Sequence, residues 1–148
     1  MKRVLVLLVL ALSACGVRPS IPIEGGPAPE EEVTEGTVLF LLEGATLTRV
    51  IRLPATTNPM ELLAAGPTGE ELAQGLTTEI PPYAAPITAT LSASGITVRI
   101  SSALKYLSPL AQSQLVCTAL GANHDLRTEV TLTDPTETLP PQQCPFTA

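Results

Sequence analysis

Few residues in this chain have chemistry that could support catalysis. His124 is the only histidine, and no second histidine or reduced cysteine is spaced to complete a zinc site with it. A serine triad would need His124 as the base beside a serine nucleophile, and no G-x-S-x-G motif occurs. Glu70 and Glu71 are adjacent, so on a helix they would not face one another, and they suit a helix start better than an acid/base pair. We therefore predict no enzyme, no cofactor and no metal site.

Two further pairs of side chains could contact a ligand or a partner. Tyr83 and Tyr106 could stack on a sugar, although two tyrosines without any tryptophan give a glycan-binding platform little support. Arg52 and Arg99 lie on predicted strands. Either arginine could meet an acidic partner or project from a solvated sheet face, and both are candidate partner contacts.

The amino-terminal segment predicts an anchoring cysteine. Two basic residues at positions 2–3 precede an apolar run at residues 4–12, which is about half the length of a membrane-spanning helix and is typical of a signal peptide. The sequence Leu12-Ser13-Ala14-Cys15 resembles the lipobox of bacterial lipoprotein precursors, in which the cysteine thiol becomes thioether-linked to diacylglycerol. We predict that residues 1–14 are removed and that Cys15 carries the lipid; the alternative is an ordinary secretory signal with an incidental cysteine.

Acylation at Cys15 would hold the protein on the membrane. Each buried methylene contributes about 0.8 kcal/mol, and two or more chains such as palmitate give the stable anchoring that one chain cannot. No second apolar run of spanning length follows Cys15. The predicted location is the outer face of the cytoplasmic membrane.

The charge of the chain argues against some partners. Residues 1–14 contain two of the eight basic residues and none of the fourteen acidic ones, so the formal charge changes from −6 to −8 when they are removed. An acidic chain is unsuited to nucleic acid and gains no electrostatic attraction to anionic lipid headgroups. We expect a solvated domain that binds the membrane only through its lipid.

Two cysteines remain after Cys15 is used. Cys117 and Cys144 would share an oxidising compartment, in which an even pair predicts a disulfide. Loss of chain entropy in the unfolded state would make such a bond worth about 3–4 kcal/mol. The alternative is one buried and one exposed thiol.

Composition divides the mature chain into two parts. Residues 15–36 contain the lipidated cysteine and a linker rich in proline and glutamate. Proline stiffens such a linker, and repulsion between its like charges extends it. Residues 37–148 suit one domain with one core. Since the chain has only four aromatic residues, that core must consist of leucine, isoleucine, valine and alanine.

Hydrophobic periodicity predicts seven main elements in the order β-β-α-β-β-α-β. Helices should open at Asn58-Pro59 and Ser108-Pro109, which are N-cap and first-turn pairs. The second helix should bury a stripe of Ala111, Leu115 and Ala119, with Val116 and Leu120 beside it. The strands are expected at residues 38–42, 47–53, 87–91, 96–100 and 126–132. We predict an α+β fold, with one small mixed sheet and the two main helices on one side of it.

The stretch LLAAGPTGEELAQGLTTEIP, residues 62–81, is explained by backbone geometry. Its glycines and prolines suit helix ends and an extended exit. Thr68 and Glu71 have the spacing of a capping box around a single helical turn. The predicted structural residues of this motif are Gly66, Pro67, Thr68, Glu71, Gly75, Leu76, Ile80 and Pro81.

The same stretch is similar to the signature of the GerMN domain family. Upstream, VLFLLEGATLTRVIRLP is similar to the opening strand pair of that family, with Arg52 in the place of its arginine. Downstream, LAQSQLVCTAL is similar to its second helix. The resemblance covers roughly residues 37–133.

This resemblance implies a small α/β module outside the cytoplasmic membrane. Related domains occur in sporulation and germination proteins and in envelope lipoproteins of actinobacteria, and in spore formers they look like ring-building domains of envelope-spanning assemblies. GerM-type proteins carry the domain twice, whereas here it occurs once. The prediction is a non-enzymatic interaction module that binds another envelope protein; the alternative is a receptor for peptidoglycan or another small ligand.

Overall fold

The computed structural model describes residues 36–55, 58–122 and 128–145. All of these residues belong to one structural unit, Val33–Ala148. The strands are β1 (Thr37–Glu43), β2 (Thr46–Arg52), β3 (Leu76–Thr77), β4 (Thr88–Ser92), β5 (Gly95–Arg99) and β6 (Val130–Thr133). The α-helices are α1 (Pro59–Ala64), α2 (Gly69–Ala73) and α3 (Pro109–Gly121), and 3-10 turns occur at Pro82–Ala84 and Leu104–Tyr106.

The predicted α+β class is confirmed, but the single sheet is wrong. Two three-stranded sheets form, with strand orders β2-β1-β3 and β4-β5-β6. The first is antiparallel, and in the second β5 pairs antiparallel with β4 and parallel with β6. The short helix α2 and the two-residue strand β3 are additional to the predicted order.

Helix α3 begins at the predicted N-cap, where the Ser108 hydroxyl accepts the Ala111 backbone N–H. The helix packs against β1 of one sheet and against β5 and β6 of the other. The stripe of Ala111, Leu115 and Ala119 is buried, but the opposite side is buried as well. The predicted stripe is therefore confirmed, but the buried surface of α3 extends beyond it, because α3 is a central helix shared by both sheets.

Two polar side chains of α3 explain why β1 has no full-length strand on its second edge. β3 pairs with only Leu42 and Glu43. At Phe40 the backbone N–H donates instead to Thr118 Oγ1 at 3.0 Å, and the carbonyl accepts from Gln114 Nε2 at 2.9 Å. Both side chains are fully buried, so α3 takes the hydrogen-bonding place of a strand.

Gln114 uses its other amide atom to hold the chain that follows β3. Its Oε1 accepts the Glu79 backbone N–H at 2.9 Å and the Thr78 hydroxyl at 3.2 Å. One buried side chain therefore joins three segments: α3, β1 and residues 78–79. The sequence interpretation had placed this glutamine within a helix pattern but had given it no role.

The hairpin of β4 and β5 forms near the predicted turn, but its burial differs from the prediction. Ile96 and Val98 of β5 are buried, as alternation required. On β4, Ala89 and Leu91 are exposed, and Leu91 retains 62% of its accessible surface. Of the predicted β4 apolar residues only Ile87, just before the strand, is buried, because the core does not extend under the rest of the strand.

The carboxyl-terminal tail covers the outer edge of β6. Val130 and Gln142 exchange two backbone hydrogen bonds, at 2.9 and 2.8 Å, and the Leu139 N–H donates to the Leu132 carbonyl at 2.9 Å. In the described residues the strand begins at Val130, two residues after Thr128, and the part of the predicted strand at residues 126–127 lies outside the described residues. The tail thus acts as a further edge segment of the second sheet.

The turn between β6 and the tail is fixed by the buried carboxylate of Asp134. It accepts backbone N–H groups from Leu104 at 2.6 Å, Thr136 at 2.6 Å and Glu137 at 2.7 Å. These bonds, that from Leu104 above all, hold the pKa of Asp134 well below its ordinary value, and they outweigh the opposing effect of burial. The carboxylate therefore ties the tail to the 3-10 turn before α3.

We predict that Gln114→Leu lowers the free energy of unfolding by about 2–4 kcal/mol, since it removes the bonds that Gln114 makes to the buried Phe40 carbonyl and to the partly buried Glu79 N–H. The matched control is Gln112→Leu, because Gln112 is half-buried and makes one long hydrogen bond, 3.3 Å to the Leu107 carbonyl. It should cost less than about 1 kcal/mol. Urea titration measures both, and equal losses would contradict the role assigned to Gln114.

Candidate functional site

The residue 62–81 motif forms the predicted helix boundaries. Gly66 adopts φ 79° after α1 and Gly75 adopts φ 84° after α2, and both angles favour glycine. The capping box is present, because the Thr68 hydroxyl accepts the Glu71 N–H and the Glu71 carboxylate accepts the Thr68 N–H at 2.7 Å. The motif residues Leu76 and Ile80 are buried, Pro67 follows Gly66, and Pro81 precedes the first 3-10 turn.

Arg52 connects this motif to β2. Its Nε and Nη2 atoms donate to the two carboxylate oxygens of Glu71 at 3.0 and 2.6 Å. The guanidinium also donates to the Gly66 carbonyl at 2.8 Å and to the Leu62 carbonyl at 3.3 Å. One arginine therefore satisfies carbonyls at the end of α1 and pairs the acid that caps α2.

The ion pair lowers the pKa of Glu71. Hydrogen bonding from Arg52 is the main reason that the pKa of Glu71 lies below 4.5, its ordinary value; burial acts in the opposite direction, and the Thr68 N–H adds to the lowering. Arg52 and Glu71 side chains are only 14% and 10% exposed. Their bond is thus a structural one, made within the chain.

This geometry corrects the candidate contact at Arg52, since its acidic partner is Glu71 of the same chain. Arg49 lies on the opposite face of β2 and is exposed. Arg99, the other candidate, is exposed on β5. Within residues 36–55, 58–122 and 128–145, neither Arg49 nor Arg99 forms an ion pair. The sequence analysis assigned no contact to Arg49, although alternation along the predicted strand places it on the face opposite Arg52.

The exposed face of β2 is mainly apolar. Ile51 is 52% exposed and shares its face with Arg49 by alternation, and Leu53, which follows the strand, is 62% exposed. Gly36 packs against Ile51 and Leu53 so closely that a side chain at position 36 would overlap Ile51. This group, Arg49, Ile51 and Leu53, is called the β2 surface below.

The outer face of the second sheet carries hydroxyl groups. Register places Thr90, Thr97 and Thr131 side by side across its three strands. The adjacent row has Arg99 in the middle, with Thr88 and Thr133 as its neighbours. Thr133 is buried and bonded to the tail, and the other threonines are exposed or half-buried.

Two surface clefts accompany these features. One, of about 410 Å³, lies beside the ion pair and is lined by Thr48, Arg49, Glu71 and Gln74 among others. The second, of about 480 Å³, lies between α1 and the start of β4 and is lined by Ala64, Pro86 and Ile87, with Glu61 as its one charged residue.

The remaining candidates are dispersed or outside the described residues. Tyr83 and Tyr106 are 60% and 66% exposed, and the Lys105 ammonium lies 5.1 Å from the ring centre of Tyr106. Cys15 and His124 lie outside the described residues. In the part of the chain that the structure describes, no group of three potential metal ligands occurs, and none of its helices is long and apolar enough to cross a membrane.

The structure places Cys117 and Cys144 as a disulfide pair, with Cα atoms 4.8 Å apart, a separation that suits such a bond. Cys117 is fully buried on α3 and packs with Val38 and Phe40 of β1. A bond at this position ties the tail to the central helix. Oxidation of the pair in the cell stays a prediction.

Comparisons with family models, with curated proteins and with solved structures found no match. The resemblance to the GerMN family therefore stays a prediction from the sequence.

We predict that Arg52→Leu destabilises the fold by about 2–3 kcal/mol at pH 7, because Glu71 is left largely buried without its cation. Since the folded-state pKa of Glu71 is lowered, the contribution of the pair is fully present above about pH 4.5 and is lost as the pH falls through that folded pKa. The difference between wild type and Arg52→Leu should therefore shrink from pH 7 to pH 3.

Denaturant unfolding at several pH values tests this, with Arg49→Leu as the matched control. Asp134 adds its own acid sensitivity to every variant, so it cancels in the difference. A deficit of Arg52→Leu that is independent of pH, or equal to that of Arg49→Leu, would contradict the structural role of Arg52.

We predict that Cys144→Ala lowers the free energy of unfolding by about 3–4 kcal/mol, given the separation of 27 residues between the cysteines. It should also accelerate hydrogen exchange at the Leu139 and Gln142 amides, which bond to β6. Mass spectrometry of non-reduced peptides from wild type checks the bond itself. Two free thiols in protein taken from its native compartment would refute it.

Proposed function

We propose that this chain is a non-enzymatic interaction module of the bacterial cell envelope. It is anchored through lipid on Cys15 at the outer face of the cytoplasmic membrane and binds another extracytoplasmic protein. The lipobox-like sequence at residues 12–15 supports the anchor. The GerMN resemblance supports a part in an envelope assembly, including those of sporulation or germination.

The β2 surface is the observation that carries the proposed protein contact. It combines two largely exposed aliphatic side chains, Ile51 and Leu53, with Arg49, an exposed cation that forms no ion pair with any other described residue. Large apolar residues that remain in water favour association when a partner covers them, and arginine is enriched in protein interfaces. The matching partner surface is apolar with an acidic residue.

The position of the β2 surface fits a tethered protein. Gly36, which lies against Ile51 and Leu53, is the last residue of the predicted linker that leads back to Cys15. The β2 surface thus lies on the part of the domain where the tether enters. Tethering raises the effective concentration toward other membrane-anchored proteins without any additional contact.

The hydrogen bonds of the acidic side chains support a binding role more than a catalytic one. The acids with shifted pKa values, Glu71 and Asp134, have their carboxylates occupied by arginine and by backbone N–H groups. Such shifts are common in catalytic sites, but here each one is explained by a bond that holds the fold together.

A receptor for peptidoglycan is the second candidate, and the threonine face favours it. Thr90, Thr97 and Thr131 form one row of hydroxyls, and Arg99 lies in the next. Hydroxyls can exchange hydrogen bonds with glycan hydroxyls, and the guanidinium suits the carboxylates of the attached peptides. The scarcity of aromatic side chains leaves this candidate second.

Cross-linking in intact cells tests the protein contact. We expect one defined envelope protein to be recovered with wild type and to be reduced at least tenfold by Ile51→Lys combined with Arg49→Glu. Leu72→Lys is the matched control, because Leu72 is 56% exposed on α2 and is not one of the residues of the β2 surface. Cys15→Ser should abolish lipid labelling and weaken the same cross-link.

The alternatives give different results in this experiment. Saturable binding of muropeptides that Arg99→Glu removes, without any protein cross-link, would replace the contact proposal with the receptor. Labelled, membrane-bound Cys15→Ser protein would overturn the anchor. Equal loss with Leu72→Lys would show that the β2 surface is not the contact.

A further inference from the structure

Strand β4 has an edge that no other strand of the described residues covers. β4 pairs with β5 over five consecutive residues, and no strand of the described residues pairs with its other edge. All five β4 residues are exposed. Their outward backbone N–H and C=O groups can therefore accept another strand.

The other edges carry features that oppose such pairing. The tail covers β6, α3 side chains and β3 occupy β1, and β2 carries an exposed arginine and is followed by Pro54. Natural edge strands are protected by cover, by charge, by proline or by bulges. The sequence of β4, Thr-Ala-Thr-Leu-Ser, contains neither charge nor proline, and its register is unbroken.

The apolar side chains of β4 show which face would gain from a neighbour. Ala89 pairs with Val98 and Leu91 pairs with Ile96, so the four residues share one sheet face. The β5 pair is buried, whereas Leu91 remains 62% exposed. The apolar face of the sheet thus continues past the core and stops at the open edge.

We propose that the β4 edge pairs antiparallel with β4 of a second copy of this chain, about a two-fold axis at Thr90. In that register Ala89 of each copy lies beside Leu91 of the other, and Thr88 lies beside Ser92. The two sheets become one six-stranded sheet. Both leucines gain an apolar neighbour, while hydroxyl groups stay together on the opposite face.

Self-complementarity is the reason for choosing a second copy as the occupant. A two-fold interface must match a surface to itself, and an uncharged strand with small and large apolar residues placed evenly around a central threonine does so. The same strand offers no charge by which a foreign strand would be selected. The net charge of −6 on each copy opposes the pairing at a distance, so added salt should strengthen it.

Five paired residues and two leucines form a small contact, below the roughly 1,000 Å² expected of a stable interface. Pairing in dilute solution should therefore be weak. Confinement on a membrane raises the effective concentration, and only this step of the inference rests on the proposed tether.

Engineered cysteines in the full-length protein test the register. Thr90→Cys should give a disulfide-linked dimer on mild oxidation, because residue 90 faces itself across the axis. Thr88→Cys is the matched control on the same strand and face. Its two copies would lie roughly 13 Å apart, beyond disulfide reach.

The expected result is at least tenfold more dimer for Thr90→Cys than for Thr88→Cys, with the residue 90 to residue 90 peptide identified by mass spectrometry. In sedimentation equilibrium, Leu91→Lys should weaken association at least tenfold and Leu72→Lys should not. Wild-type association should rise with salt.

Other results would overturn the inference. Equal cross-linking at positions 88 and 90 would indicate random collision, and absence of cross-linking at both would show that the edges do not meet. Capture of a different protein at residue 90 would make β4 the site of a foreign strand. Either of the last two results would leave the proposed contact at the β2 surface standing.

Discussion

The fold depends on how the backbone N–H and C=O groups of β1 find hydrogen-bond partners on the edge where no strand lies beside them. An unpaired buried peptide group costs about 1–3 kcal/mol, and Phe40 would present two of them to the interior. Thr118 and Gln114 of α3 meet both. This requires α3 to run close along β1, which Gly121 permits, because a Cβ there would lie 2.7 Å from Val38 Cγ1. The same helix also packs against β5 and β6, which form the separate second sheet.

The second constraint is the ion pair between Arg52 and Glu71, which lies at the end of β2 in the first sheet. It joins the end of β2 to the α1–α2 connection, while Gln114 joins β1 to the chain after β3. The motif between them is therefore held at both ends by buried polar side chains. Buried polar side chains stabilise a fold only when all their hydrogen-bond partners are present. The short helices α1 and α2 therefore keep a defined position, because the bonds of Arg52 and Gln114 require it.

Local features of this fold were predictable because local chemistry determines them. The N-caps at Asn58 and Ser108, the capping box of Thr68 and Glu71, and the strand segments follow from residue type and spacing. The pairing of β5 with β6 and the division into two sheets were not predictable, because they depend on contacts between residues far apart in sequence. Gln114 and Thr118 illustrate this, since a polar residue in a helix indicates exposure until the unpaired strand edge beside it is known.

The same limit applies to the candidate surfaces. Alternation indicates that Ala89 and Leu91 share a face, and that Arg49 and Arg52 lie on opposite faces, but not which face the core covers. Burial removes Arg52 from the surface and leaves Leu91 and the β2 surface in water. Leu91 and the β2 surface belong to different sheets. Pairing at β4 would therefore leave the β2 surface free to bind a partner. A two-fold pair joined at β4 would carry two copies of the β2 surface, and a partner with two matching sites would be bound more tightly than by either surface alone.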